Sequence, residues 1–181
     1  MNELDDWLNE ISTYKLPRWE ELPELELYRD QLLTLVDRYL RPIWIDDTPV
    51  VTASMVNNYV KNDMMPAPVK KHYRKSQLAY LIVITFLKQV VSMDEIKAGI
   101  QSETIQLHSV EHAYNTFCEK QEAAISNLSN SQPRKIAPTD SMSDLLIEMV
   151  TRTFATKLIT RKILSIENVE TTKSQIKKGK K

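Results

Sequence analysis

The chain has 181 residues, enough to bury a substantial core in one domain or in one domain with a helical appendage. Its two glycines, Gly99 and Gly179, cannot assemble the loops that bring backbone against a nucleotide phosphate, which argues against nucleotide-dependent enzymes. Lys and Arg balance Asp and Glu at 24 each, but the balance is not local: the counts are 5 against 12 in residues 1–51, 6 against 1 in 52–90, 2 against 6 in 91–132 and 11 against 5 in 133–181.

Asn2 is placed to cap a short helix that buries Leu4, Trp7, Leu8 and Ile11. Pro17 to Pro23 reads as an extended connection in which Leu16 and Trp19 pin the arm to the body. Glu24 to Leu40 repeats apolar residues at Leu25, Tyr28, Leu32, Leu35, Val36 and Tyr39 and predicts a helix. Arg41 to Val51 predicts a linker, with room for a short strand at Ile43 to Ile45. From Thr52 another helix follows, in which Ser54, Asn57, Asn58 and Lys61 recur at i, i+3, i+4, i+7 and share one polar face. Ala53, Val56, Tyr59 and Val60 form its apolar face.

Pro66 and Pro68 then break regular structure, and Lys70, Lys71, His72, Tyr73, Arg74 and Lys75 make a basic connection. Val69 to Tyr73 is expected to supply one strand of a minimal wing. Ser76 to Val90 is apolar on several sides, which predicts a central helix, and Ser92 with Glu95 forms a capping box that starts the next one. Ser109 to Leu128 predicts a helix, the segment from Ser129 to Pro138 a polar break, and Asp140 to Ser165 a second long helix. The apolar face of that helix carries Met142, Leu145, Leu146, Met149, Val150, Phe154, Leu158 and Ile159. Thr171 to Lys181 is polar and basic and is expected to be disordered.

The ordered set Tyr59-Val-Lys, Met64-Met65-Pro66, Tyr73-Arg74, Leu78 and Leu81, and Val91-Ser92-Met93-Asp94-Glu95-Ile96 is similar to the winged helix-turn-helix of MerR-type transcriptional regulators. More closely, residues from about Leu16 to Ile100, with LPRWEELPELELY, MVNNYVK, PAPVKKHY and QLAYLIVITFLKQVVSMDEI, resemble an uncharacterised conserved bacterial domain family of unknown function found mainly in Firmicutes. The likeness implies a mainly α fold: a MerR-like winged helix-turn-helix with a minimal wing, plus C-terminal helices. The linker before the polar-faced helix is longer than that pattern has, and the wing is shorter and lacks Gly. The implied division is 1–23 as N-terminal helix and arm, 24–104 as the helix-turn-helix domain, 105–168 as a C-terminal helical region and 169–181 as the basic tail.

A helix that turns amides and a Lys outward, followed by a run of cations, has the makeup of a DNA-reading element beside a phosphate clamp. In that reading Asn57 and Asn58 offer amides to adenine, Ser54 contacts a base edge or the backbone, and Lys61, Lys70, Lys71, Tyr73 and Arg74 touch phosphates; His72 is ambiguous. The competing reading is a solvated polar face on a packed helix. The two apolar C-terminal helices either pack as a hairpin on the first domain or join two copies, and a homodimer is the favoured expectation. The expected function is a non-enzymatic, DNA-binding transcriptional regulator acting on double-stranded DNA, with a protein-interaction adaptor on the same scaffold as the alternative.

One pattern points to enzymology. His108-Ser-Val-Glu111-His112 matches H-x-x-E-H, the spacing that lets two imidazoles one helical turn apart hold zinc while the Glu activates water. No third ligand is evident, so a zinc hydrolase is a remote alternative and no metal or cofactor is expected. The single Cys118 allows no intramolecular disulfide, lies in an apolar-rich helix without a paired base, and reads as a small buried hydrophobe. The acidic start from Met1 lacks the features of a signal peptide, and LAYLIVITFL is too short to span a bilayer, so a soluble cytoplasmic protein is expected.

Overall fold

The computed structural model describes residues 3–107, 109–129 and 141–178, with side chains for 3–100, 109–128 and 141–166. The protein is mainly α-helical: α1 (Glu3–Ser12), α2 (Arg29–Leu40), α3 (Ala53–Lys61), α4 (Lys75–Leu87), α5 (Met93–Leu107), α6 (Val110–Ser129) and α7 (Met142–Lys178). Short 3-10 turns lie at Trp19–Glu21 and Arg41–Ile43. Among the described residues, extended pairing is confined to two antiparallel bridges, Leu27 with Tyr73 and Val69 with His72. None of the described helices is long and apolar enough to cross a membrane.

Helix α4 is the axis of the core, as its all-round apolar sequence predicts. It buries Leu78, Ala79, Leu81, Ile82, Ile84 and Phe86, and α2 turns Leu32, Val36 and Leu40 inward. Phe86 meets Phe117 of α6 edge-on at 5.6 Å and Phe154 of α7 at 4.8 Å, so one ring ties three helices together. The expected capping box starts α5: the Ser92 N–H and hydroxyl donate to Glu95 Oε2 at 2.8 and 2.7 Å. Those two bonds hold the Glu95 carboxyl below its ordinary range.

The N-terminal arm is clasped onto α6. Glu122, 6% exposed, accepts from the Leu16 N–H (2.9 Å), from Arg18 through Nη1 (2.6 Å) and Nη2 (2.8 Å), and from Lys15 Nζ (2.9 Å). Burial works to raise the Glu122 carboxyl, but these bonds outweigh it and hold the group below its ordinary range. The Tyr114 hydroxyl donates to the Pro17 carbonyl at 2.8 Å, and Asn115 Oδ1 accepts the Trp19 N–H at 2.8 Å. Leu16 is buried, as expected, and Trp19 packs edge-on against Tyr114 at 6.4 Å.

Three elements depart from the sequence reading. Helix α2 begins at Arg29 rather than Glu24, because Leu27 is held in extended pairing with Tyr73 through two 2.8 Å backbone bonds. Leu25 and Tyr28, expected on its apolar face, lie outside it and are 77% and 60% exposed. The linker forms a 3-10 turn at Arg41–Ile43 instead of a strand, with Pro42 near its start where a missing N–H costs nothing. Helix α7 continues to Lys178, through most of the segment expected to be disordered, since neither Pro nor Gly interrupts the sequence from Ser141 to Lys178. Phe154 and Leu158 are buried within the chain, which gives the hairpin packing of the two alternatives for those residues.

Candidate nucleic-acid interface

Thr52 starts α3 by accepting the Met55 N–H on its hydroxyl at 3.3 Å. Val56 and Tyr59 anchor the helix in the core, and Ser54, Asn57, Asn58 and Lys61 are all exposed, as their spacing predicts. The helix ends in a Schellman motif: the Met64 N–H reaches the Tyr59 carbonyl at 2.9 Å and the Asp63 N–H reaches that of Val60 at 3.1 Å. Asp63 takes the left-handed position, with φ 54°, that glycine usually fills. Buried Met64 and Met65 then return the chain to the core.

The connection that follows is a hairpin with a two-residue tip. Val69 and His72 exchange backbone hydrogen bonds of 3.0 and 2.9 Å, and the tip residues Lys70 and Lys71 both adopt left-handed backbone, with φ 50° and 68°. Two positive φ values define the type I′ turn, whose twist suits a hairpin and whose usual residues are Asn and Gly. Lysine has no special tolerance for that region, and each such residue stores about 1–2 kcal/mol. The hairpin is steadied where Tyr73 pairs with Leu27 and where the His72 ring lies 4.6 Å from that of Tyr28.

The cations of residues 52–90 divide into three sets. Lys61, Lys70 and Lys71 are exposed and form no ion pair with any described residue. Arg74 pairs with Glu26 at 3.0 Å, and Lys75 pairs with Glu24 while standing over the Trp19 ring. Lys88 is turned inward. It donates to the Val50 carbonyl at 3.2 Å and the Met55 sulfur at 3.4 Å, and burial lowers its pKa. Tyr73 is 5% exposed and packs in the core, so its ring does not join the outward surface with Ser54, Asn57, Asn58, Lys61, Lys70 and Lys71.

Sequence reasoning missed the two acidic partners, Glu24 and Glu26, because they lie about 50 residues upstream and meet Lys75 and Arg74 only once Leu27 has paired with Tyr73. It also missed the link from Asn62 Nδ2 to Asn58 Oδ1, at 2.9 Å, although their i, i+4 spacing permits it. That bond occupies one acceptor of Asn58, whereas the neighbouring Asn57 amide has no hydrogen bond to a described side chain.

Of the H-x-x-E-H pattern, His108 lies outside the described residues, and Glu111 and His112 are exposed in the first turn of α6. No group of three or more His, Cys, Asp or Glu able to hold a metal ion occurs among the described residues. Cys118 is fully buried; burial pushes its thiol up to about 12, which keeps it protonated.

The model of DUF1836, a domain of unknown function, matches residues 17–117, more than half of the chain. The chain belongs to the DUF1836 family. The match takes in the arm from Pro17, the hairpin, α3, α4 and the first part of α6, so the DUF1836 region contains every residue of the candidate surface. No curated protein and no solved structure matches the chain.

Proposed function

We propose that this chain is a non-enzymatic regulator that binds double-stranded DNA, with α3 as the reading helix and the Val69 to His72 hairpin as a short wing. The observation that carries the reading is the tip of that hairpin. Two adjacent lysines occupy left-handed positions where Asn-Gly would be relaxed, and both stay exposed. Strain held at a charged loop tip is best accounted for by a ligand of opposite charge. Beside it in sequence, α3 presents amides for base edges and Lys61 for phosphate. The likeness of the motifs to MerR-type regulators agrees with this assignment and supplies its fold expectation.

A site read by one two-turn helix carries little information, so the functional unit is a homodimer that doubles the contacts. Met142, Met149, Ile163 and Leu164, left exposed along α7 outside that helix's packed face, are apolar residues available to join two copies. The protein-adaptor reading draws on Leu25, Tyr28 and Val69, exposed hydrophobic residues next to the hairpin. Genome-wide immunoprecipitation of the tagged protein separates the two: sharp peaks are expected for a regulator, and their absence, together with no retention of a randomised duplex pool at low salt, rejects DNA binding.

A further inference from the structure

A cavity of about 480 Å³ lies between α4, α5, α6 and α7, and nothing in the DNA-binding reading uses it. Its volume falls in the range of sites that enclose a drug-sized molecule. Ala79, Ile96, Tyr114 and Phe117, each at most 6% exposed, belong to its walls, whereas Leu146 and Glu95 stand exposed at its edge. Those buried walls, drawn from three helices, make the space deep rather than a flat patch.

The polar groups around it are few. Glu95 is engaged at the start of α5 through Ser92, and the Tyr114 hydroxyl is given to Pro17. The hydroxyl of half-buried Tyr80 makes no hydrogen bond with a described residue. Among the described residues that line it there is no Lys, Arg or His.

Gly99 supplies an independent observation. It lies inside α5, where glycine destabilises a helix by about 1 kcal/mol relative to Ala. Its φ is not positive, and a Cβ added there would meet nothing within 4 Å. Neither backbone conformation nor a close neighbour therefore requires glycine, and its missing side chain adds to the space that it lines.

We propose that this cavity binds a small, uncharged and mostly apolar molecule whose single hydrogen-bonding group meets the Tyr80 hydroxyl. Among the described lining residues an anion would find no cation, and a carboxylate at the edge. A cation would have among them only Glu95, already engaged at its helix start. The site is independent of whether the chain binds DNA.

The test is titration of the full chain with the neutral fluorophore N-phenyl-1-naphthylamine. One saturable site per chain is expected, displaced by decanol at least fivefold better than by decanoate or decylamine. Gly99→Phe should weaken the probe at least tenfold while leaving the melting temperature unchanged or raised. Gly99→Ala should raise the melting temperature and keep the probe; if Gly99→Phe does not fold, Gly99→Leu replaces it. Tyr80→Phe should spare the probe but cut displacement by decanol several-fold. The proposal is overturned by an absence of saturable binding, by preferred displacement with either charged chain, or by a probe indifferent to a folded Gly99→Phe or Gly99→Leu protein. It is equally overturned if light scattering finds a dimer that Gly99→Phe converts to monomers while neither form binds the probe, which would assign the space to a second copy.

Discussion

The arm on α6 and the surface of α3 with its hairpin are both rich in polar residues, and they dispose of them in opposite ways. Around Glu122 two cations and a backbone N–H converge on one buried carboxylate, and neighbouring Tyr114 and Asn115 hold further backbone groups. On α3 and the hairpin the polar side chains point outward, three cations have no ion-pair partner among the described residues, and the backbone of two of them is strained. The difference separates polar residues engaged in holding the fold from those left facing solvent. Residue type alone does not make that distinction: Arg18, Arg74 and Lys70 look alike in sequence.

The largest effect should come from breaking the first region. Glu122→Ala leaves Arg18, Lys15 and the Leu16 N–H without their shared acceptor, and should cost about 3 kcal/mol, read from urea unfolding. Arg18 keeps some access to water, which sets the loss at the lower end for a broken buried pair. The same carboxylate makes stability depend on pH. Its folded pKa is lowered, so its contribution is complete above the unfolded carboxylate value of about 4.3 and disappears as pH falls through the folded value. Glu122→Gln should flatten the acid limb of a stability profile, leaving the parts due to Glu95 and Asp144, whose carboxyls are also held low. A profile as steep as wild type would show that the clasp is not what acid releases.

Breaking the second region should change binding with little effect on folding. Asn57→Ala is expected to reduce discrimination between duplex sequences by ~1–3 kcal/mol. Asn58→Ala should do less, since its amide is already shared with Asn62. Equal losses on every sequence for both variants would reject base reading by α3.

Replacing Lys70 and Lys71 with Asn and Gly should stabilise the protein by about 1 kcal/mol, relief of left-handed strain being partly offset by the freedom that Gly adds to the unfolded chain. The same change should weaken binding to all duplexes alike and reduce its dependence on salt. Stability unchanged within error would mean that the tip stores no strain. The smallest effect is expected at His112, where substitution by Ala should leave folding and duplex binding as they were. Stoichiometric zinc in the purified protein would contradict that expectation and bring the H-x-x-E-H pattern forward.

Periodicity made much of the fold legible. The face of α3 with Ser54, Asn57, Asn58 and Lys61, the all-round burial of α4 and the Ser92 to Glu95 capping box follow from spacing alone, because each depends on residues within a turn or two. What depends on distant partners was not legible. Leu27 reads as part of a helix until Tyr73 offers it a bridge, and Tyr73 reads as a surface residue until that bridge buries it. The type I′ tip escaped for a different reason: Lys-Lys is not a turn signal, and only the backbone angles disclose it.

Glu122 has one more consequence, for how the protein is to be cut. The family match begins at Pro17 and stops at Phe117, just past Lys15 and Leu16 at one end and five residues short of Glu122 at the other. A fragment trimmed to those limits would retain Arg18 without its carboxylate and Phe86 without Phe154. Recurrence across a family therefore marks out a shorter stretch than the contacts of the packed core do. Expression of residues 17–117 alone should give a species that exchanges its amide hydrogens readily, whereas a piece carried through α7 should resist.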